Sequence, residues 1–477
     1  MIEPMPRRQF VQAALGGTLC CLAGPDVLTF SSGPQVPRLV SPGCRRSKVK
    51  VARLYLGLPR AHYPNPAIDL AAEVQRYRDE FAKLKDEFAD VDFVVDEVVG
   101  SAEQIKPLKE RLQNVDGVLV VHVTLGTQPA MRELLTFGRP TMIFSAPYSG
   151  HEWYALSQFR GQEIGRRMEC VLTTDYAQLA AAVRPFRALH HLREAKILNL
   201  ATRTQPKGYP DEVKKKFGTE IIQVTRPRML DVFHAVNDED ARAEADRWTK
   251  NAVAVVEPSA DEIFQSCKLA LALEKLMAEE NATVMTVDCY GTMYRQLPAY
   301  PCIGFARLND LGLGGICQSD LPCAMTHIIF QGLTGRPGFV CNPTFDFATD
   351  TATLIHCLGS TKMDGPGQPA APYTLRSVME RQEGVVPQVR MRTGQKVTQA
   401  ILAEMSALRY FTGKIVDTPE TDRGCRTKIA VKLDGCAERL WQNWSAGIHR
   451  VSCYGDISQD LARFCRFADL KLIDEAV

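Results

Sequence analysis

The stretch CQSDLPCAMTHIIFQGLTGRPGFVCN, residues 317–342, decides how this chain is read. Behind Asp320 and Pro322, the residues Leu321, Met325, Ile328 and Ile329 keep helical spacing until Gly332 and Gly335 end the run. An acid ahead of a first-turn proline has a complete explanation as a helix cap, so Asp320 is first a structural residue. His327 falls within the same helix and reads as structural. Residues 339–341 form a short apolar strand, and Pro343 is expected to end it because proline cannot continue a central ladder, which leaves Asn342 at a strand end. Asp346 and Asp350 follow in a loop, and a second strand over 353–357 carries His356 at its end. Helix, glycine turn and strand ends crowded into one segment mark a site.

Upstream, strands alternate with helices. Residues 51–57, 93–95, 118–122 and 141–144 are short apolar runs, and Leu70, Val74, Tyr77, Phe81, Leu84 and Phe88 recur at intervals of three and four. This is the pattern of a parallel sheet covered by helices. His122 lies at a strand end, where open α/β sheets bind ligands, but without a Gly-rich fingerprint it reads as a packed or solvated residue. A second α/β unit begins near Ala195, with strands at 197–200, 221–224 and 283–287 and long helices at 238–249 and 259–280. The last of these strands delivers Asp288-Cys289-Tyr290 to its C-terminal end. The pair His190-His191 is expected on the surface, because adjacent residues project in different directions. Beyond Ser360, Pro366, Pro369 and Pro372 mark a connection, followed by short alternating segments of β character and a closing strand and helix at 450–454 and 458–467. The expected architecture is α/β, two Rossmann-like domains with parallel sheets and then a C-terminal β-rich domain. Its divisions fall at 1–47, 48–180, 181–362 and 363–477.

The 477 residues are 45% apolar and 23% charged, as in globular proteins. Lys and Arg number 57 against 55 Asp and Glu, a net of +2, which gives no footprint for nucleic acid. The 15 cysteines form no CxxC pair and read as buried thiols rather than a disulfide framework. Near the start, Arg7-Arg8-Gln9-Phe10-Val11 precedes a weakly apolar run too short to span a bilayer. It has the form of a twin-arginine export signal, implying an exported, periplasmic protein with no integral membrane segment in the mature chain; the alternative is a disordered basic start on a cytoplasmic protein.

Taken together, Cys317-Gln318-Ser319-Asp320, Leu333-Thr334-Gly335-Arg336-Pro337, Asn342 and His356-Cys357 resemble the L-fucose isomerase and L-arabinose isomerase superfamily. Gly447-Ile448-His449-Arg450, with Tyr454-Gly455-Asp456 after it, looks like that family's histidine segment. The resemblance implies a sugar isomerase that interconverts an aldose and a ketose through a metal-stabilised enediol. It further implies a divalent metal, usually manganese, a small-molecule sugar substrate, and a homo-oligomer, trimer or hexamer. By position Gln318 and Asn342 take the places of the family's two acidic metal ligands, His449 the histidine ligand and His356 an additional one.

Here the chain departs from the pattern. An amide oxygen can coordinate a cation, but it brings no negative charge and is no base at neutral pH. Displaced carboxylates must then serve: Asp320 and Asp346 as catalytic groups, Asp288 and Asp350 toward the substrate. The alternative is a catalytically inactive sugar-binding relative, and behind it a purely structural protein.

Overall fold

The computed structural model describes residues 47–149, 152–202 and 208–477. The twin-arginine-like segment lies outside the described residues. Five strands, β1 (Val49–Leu56), β2 (Val91–Val99), β3 (Gly117–His122), β4 (Thr141–Ser145) and β5 (Met168–Leu172), form a parallel sheet in the order β2-β1-β3-β4-β5. Every residue of β3 and β4 is buried, as an unbroken apolar run requires when helices cover both faces. One cover is the helix Leu70–Lys83, capped by the Asp69 carboxylate on the Ala72 N–H and burying Val74, Tyr77 and Phe81.

The helix Gln178–Glu194 leads out of this sheet and is packed from two sides. Leu179, Val183 and Phe186 join the first core, while Ala188 and Leu192 join the next. That position corrects the expectation for His190 and His191, which are both buried. A helix between two packed layers keeps only a narrow solvent face, so residues 100° apart on it can both be enclosed. His190 Nδ1 meets Asp116 Oδ2 at 3.0 Å, and Arg193 closes on the other Asp116 oxygen at 2.6 Å. Burial pushes the His191 imidazole down to about 3.

A second parallel sheet follows, made of β6 (Lys196–Leu200), β7 (Glu220–Val224), β8 (Val284–Val287) and β9 (Gly314–Cys317) in the order β7-β6-β8-β9. The chain leaves β6 to one side and returns on the other, so the strand order reverses between β6 and β8, where such sheets open a crevice at their C-terminal ends. β9 is seated closely: a Cβ on Gly315 would stand 2.4 Å from the Phe305 Cα and 2.6 Å from its carbonyl oxygen. Both are backbone atoms of the helix Cys302–Asp310 and cannot swing aside. Gly315→Ala is therefore expected to cost about 1–3 kcal/mol, read as a lowered urea midpoint at unchanged slope.

The remaining strands are β10 (Phe339–Asp346), β11 (Thr351–His356), β12 (Tyr373–Val378), β13 (Glu383–Val389), β14 (Lys396–Ala403), β15 (Ala407–Asp417), β16 (Thr427–Leu433), β17 (Arg450–Tyr454) and β18 (Lys471–Asp474). They make a seven-stranded sheet, β14-β17-β10-β11-β16-β15-β18, in which β14 also pairs with β15. Six strands thus close into an antiparallel barrel, and β18 joins β15 in parallel. β12 and β13 stand apart as a hairpin.

The barrel draws its first two strands from ahead of residue 362, so the passage from parallel sheet to β-rich region comes just after the helix Leu321–Thr334. Pro343 is also inside β10, facing Leu354, rather than ending it. The reason is local: β17 pairs with β10 only as far as Cys341, so from Asn342 onward that side of β10 is an edge, where a missing N–H breaks no ladder bond.

Candidate active site

At the end of β9 the chain turns sharply. Gln318 and Ser319 both adopt the left-handed region, φ +61° and +56°, at about 1–2 kcal/mol each for non-glycine residues. The turn sets the Gln318 N–H against the Cys289 thiol, and the Ser319 hydroxyl donates to Asn199 Oδ1 at the end of β6. It also places Asp320 as the cap of the helix Leu321–Thr334.

Asp320 uses its two oxygens differently. Oδ1 accepts the Cys323 N–H at 2.9 Å, and Oδ2 faces His449 Nδ1 at 3.1 Å across 129 residues of chain. A neutral imidazole facing a carboxylate donates from Nδ1 and keeps its lone pair on Nε2. The His356 ring stands edge-on to the His449 ring, with centroids 5.4 Å apart. Burial, reinforced by His449, lowers the His356 imidazole to about 3, so it is neutral at physiological pH. The β10–β17 ladder ends at Cys341 opposite Arg450; Asn342 is the next residue along β10, and His449 immediately precedes β17. Asn342 Oδ1 is buried without a hydrogen-bond partner. Tyr209, at the start of the helix Tyr209–Phe217, has its phenol pKa raised by burial and then by Asp320 and Cys323.

Asp320, His356 and His449 thus meet, Asn342 adjoins them along the ladder, and Gln318 sits two residues before Asp320. The other three acids are engaged elsewhere. Asp346 lies four residues along β10 from Asn342, roughly 13 Å at strand rise, in an exposed turn where it accepts from the Ala348 N–H and the Thr349 hydroxyl. Asp350 accepts the Ala437 N–H, which holds its carboxyl below the ordinary range, and so anchors the start of the helix Ala437–Asn443. Asp288 is buried and accepts both the N–H and the hydroxyl of Thr292, closing the turn after β8.

Two features have no local signal in the sequence. Tyr209 reaches Asp320 from a distant helix. His122 is buried against Glu152, Nε2 to Oε2 2.9 Å, at the C-terminal end of β3, and Glu152 also accepts the Gly126 and Thr127 N–H groups. Burial opposes ionisation of Glu152, but the bonds from His122 and Thr127 outweigh it and hold the carboxyl below its ordinary value. Only a fold that brings residues 122 and 152 together reveals that pair. The twelve described cysteines are all free and nine are buried, in keeping with their reading as core thiols. No described helix is long and apolar enough to cross a membrane.

No protein-family model matches the chain. It is similar to a protein named sulfoquinovose isomerase from Alkalicoccus urumqiensis, with 20% identity over 317 residues, covering 61% of this chain and 67% of that one. That relative is by its name a sugar isomerase, the broad class that the sequence motifs resemble.

Proposed function

We propose that this protein is a sugar isomerase that interconverts an aldose and its ketose by moving a proton between C1 and C2. The observation that carries the proposal is the Asp320–His449 pair, an imidazole held in one tautomer by a carboxylate and set at the edge of the barrel. The similarity to a sulfoquinovose isomerase supports the same class, and sulfoquinovose is a natural first substrate to try.

In this reading His449 Nε2 takes the C2 proton of the open-chain sugar and returns it at C1, while the O2 hydroxyl proton passes to O1 by way of solvent. An imidazole suits that task because it accepts and releases protons near neutral pH. Asp320 does not touch the sugar; it keeps the proton on Nδ1 and stabilises the charge that His449 acquires. The residues also fit a divalent cation. Asn342 Oδ1 is an unpaired buried acceptor, and His356 offers a neutral imidazole against the His449 ring. When bound there, the cation supplies Lewis-acid polarisation of the sugar carbonyl.

An amide at residue 342, where the resemblance implies a carboxylate, leaves the pocket with less negative charge, which favours weak metal retention. Asn342→Asp is expected to raise manganese affinity by about tenfold or more, and to lower thermal stability in chelator because it adds a buried, unpaired charge. Titration calorimetry with and without chelator checks both effects. The same two amides, Gln318 and Asn342, favour a second reading, a sugar-binding protein without turnover. The discriminating experiment incubates the purified chain with a panel of aldoses, sulfoquinovose, L-fucose and L-arabinose among them, with manganese or with chelator. Ketose formation supports isomerisation; calorimetric sugar binding with no ketose supports the second reading.

A further inference from the structure

A second group of ligand-type side chains, which begins one residue after His356, plays no part in the chemistry above. Cys357 follows the last residue of β11, Glu380 sits in the β12–β13 turn, and Cys425 lies just ahead of β16. One ligand atom from each, two sulfurs and a carboxylate oxygen, all fall within 4.8 Å of one another. The Cys425 thiol donates to Glu380 Oε1 at 2.9 Å and interacts directly with the Cys357 thiol. The other Glu380 oxygen accepts from the Tyr290 hydroxyl at 3.0 Å, which orients the carboxylate from outside the group. A third thiol, Cys302, interacts with both Cys357 and Cys425 from the core side.

We propose that Cys357, Cys425 and Glu380 bind a thiophilic divalent cation, zinc being the natural occupant. Two sulfurs select a soft or borderline ion over the manganese suited to oxygen ligands. On a tetrahedral zinc, with bonds of about 2.3 Å to sulfur and 2.1 Å to oxygen, such atoms stand roughly 3.6–3.8 Å apart, a spacing that small side-chain rotations reach from this arrangement. Binding displaces the two thiol protons to solvent, and the anionic set, two thiolates and a carboxylate, offsets the charge of the cation. Glu380 is exposed, which gives the ion an entry path and leaves the fourth position to water. The Tyr290–Glu380 bond is the second-shell contact such a site uses to fix its carboxylate. Because the three ligands belong to three separate segments, the ion clasps the β12–β13 hairpin to the barrel edge.

The test is metal analysis of the full-length chain, purified under reducing conditions without chelator, and of the variants Cys425→Ser, Cys357→Ser and Glu380→Gln. The wild type is expected to carry roughly one zinc per chain, and either serine variant to fall below about a tenth of that. Glu380→Gln is expected to lie between, while Asn342→Asp and His449→Ala keep the zinc. Cobalt loaded in its place should give a thiolate charge-transfer absorption in the wild type, a readout that does not depend on the folding of any variant. Absence of that absorption, zinc content unchanged in folded serine variants, or a Cys357–Cys425 disulfide in the native protein would each overturn the proposal.

Discussion

His449→Ala is expected to slow aldose–ketose interconversion by about 10²–10⁴-fold, the usual worth of a positioned general base, with little change in sugar binding. The companion variant is sharper. Asp320→Asn keeps an excellent helix cap, since asparagine and aspartate are equivalent there, so the helix Leu321–Thr334 should stay in place and the urea midpoint should barely move. Yet the amide no longer provides the negative charge that holds His449 in one tautomer and stabilises its protonated form. Activity should therefore fall in kcat while stability and KM remain. A variant that lost stability and activity together would make Asp320 a structural cap and nothing more.

The second large effect concerns the residue beside His449. Arg450 and Glu475 are both fully buried and form a direct ion pair, with the Arg450 guanidinium also over the Trp444 ring at 3.8 Å and bonded to the Ser445 carbonyl. Burial lowers the Arg450 pKa and raises that of Glu475, so each charge depends on the other for its place in the interior. Glu475→Ala strands the guanidinium and is expected to cost about 3–5 kcal/mol, measured by equilibrium denaturation. Replacing both residues by apolar ones, Arg450→Met with Glu475→Leu, should recover much of that loss, because the fully buried guanidinium is no longer stranded and only the partly exposed Arg409 loses its contact with Glu475. The coupling between the two substitutions separates the pair from simple loss of packing.

Much of the fold is legible because burial leaves a periodic trace. The continuous apolar runs of β3 and β4 specify a sheet covered on both faces, and the three- and four-residue spacing of Leu70, Val74, Tyr77 and Phe81 specifies its helix. What is not legible depends on neighbours distant in sequence. Pro343 ends a strand only if partners flank it on both sides, and nothing near it shows that β17 stops at Cys341. His190 and His191 are enclosed because a second core lies behind the helix Gln178–Glu194. The boundary near 362 follows the prolines, whereas the barrel recruits β10 and β11 through pairing with strands that come much later in the chain, β10 with β17 and β11 with β16.

The site divides in the same way. Asp320 reads as a cap from its own neighbourhood and is one, but its second oxygen belongs to His449, which no local pattern discloses. Asp346 and Asp350 carry carboxylates close in sequence to Asn342, and strand geometry carries them away from it into turns. Proximity in sequence along an extended strand means separation in space.

The central claim is that His449 moves a proton on a sugar. Incubation in D2O followed by proton NMR tests it most directly, with the wild type and His449→Ala supplied with the same aldose. The wild type is expected to convert aldose to ketose and to incorporate solvent deuterium at the exchanging carbon, and His449→Ala to do neither while remaining folded. Conversion and exchange at equal rates in the two proteins would contradict it.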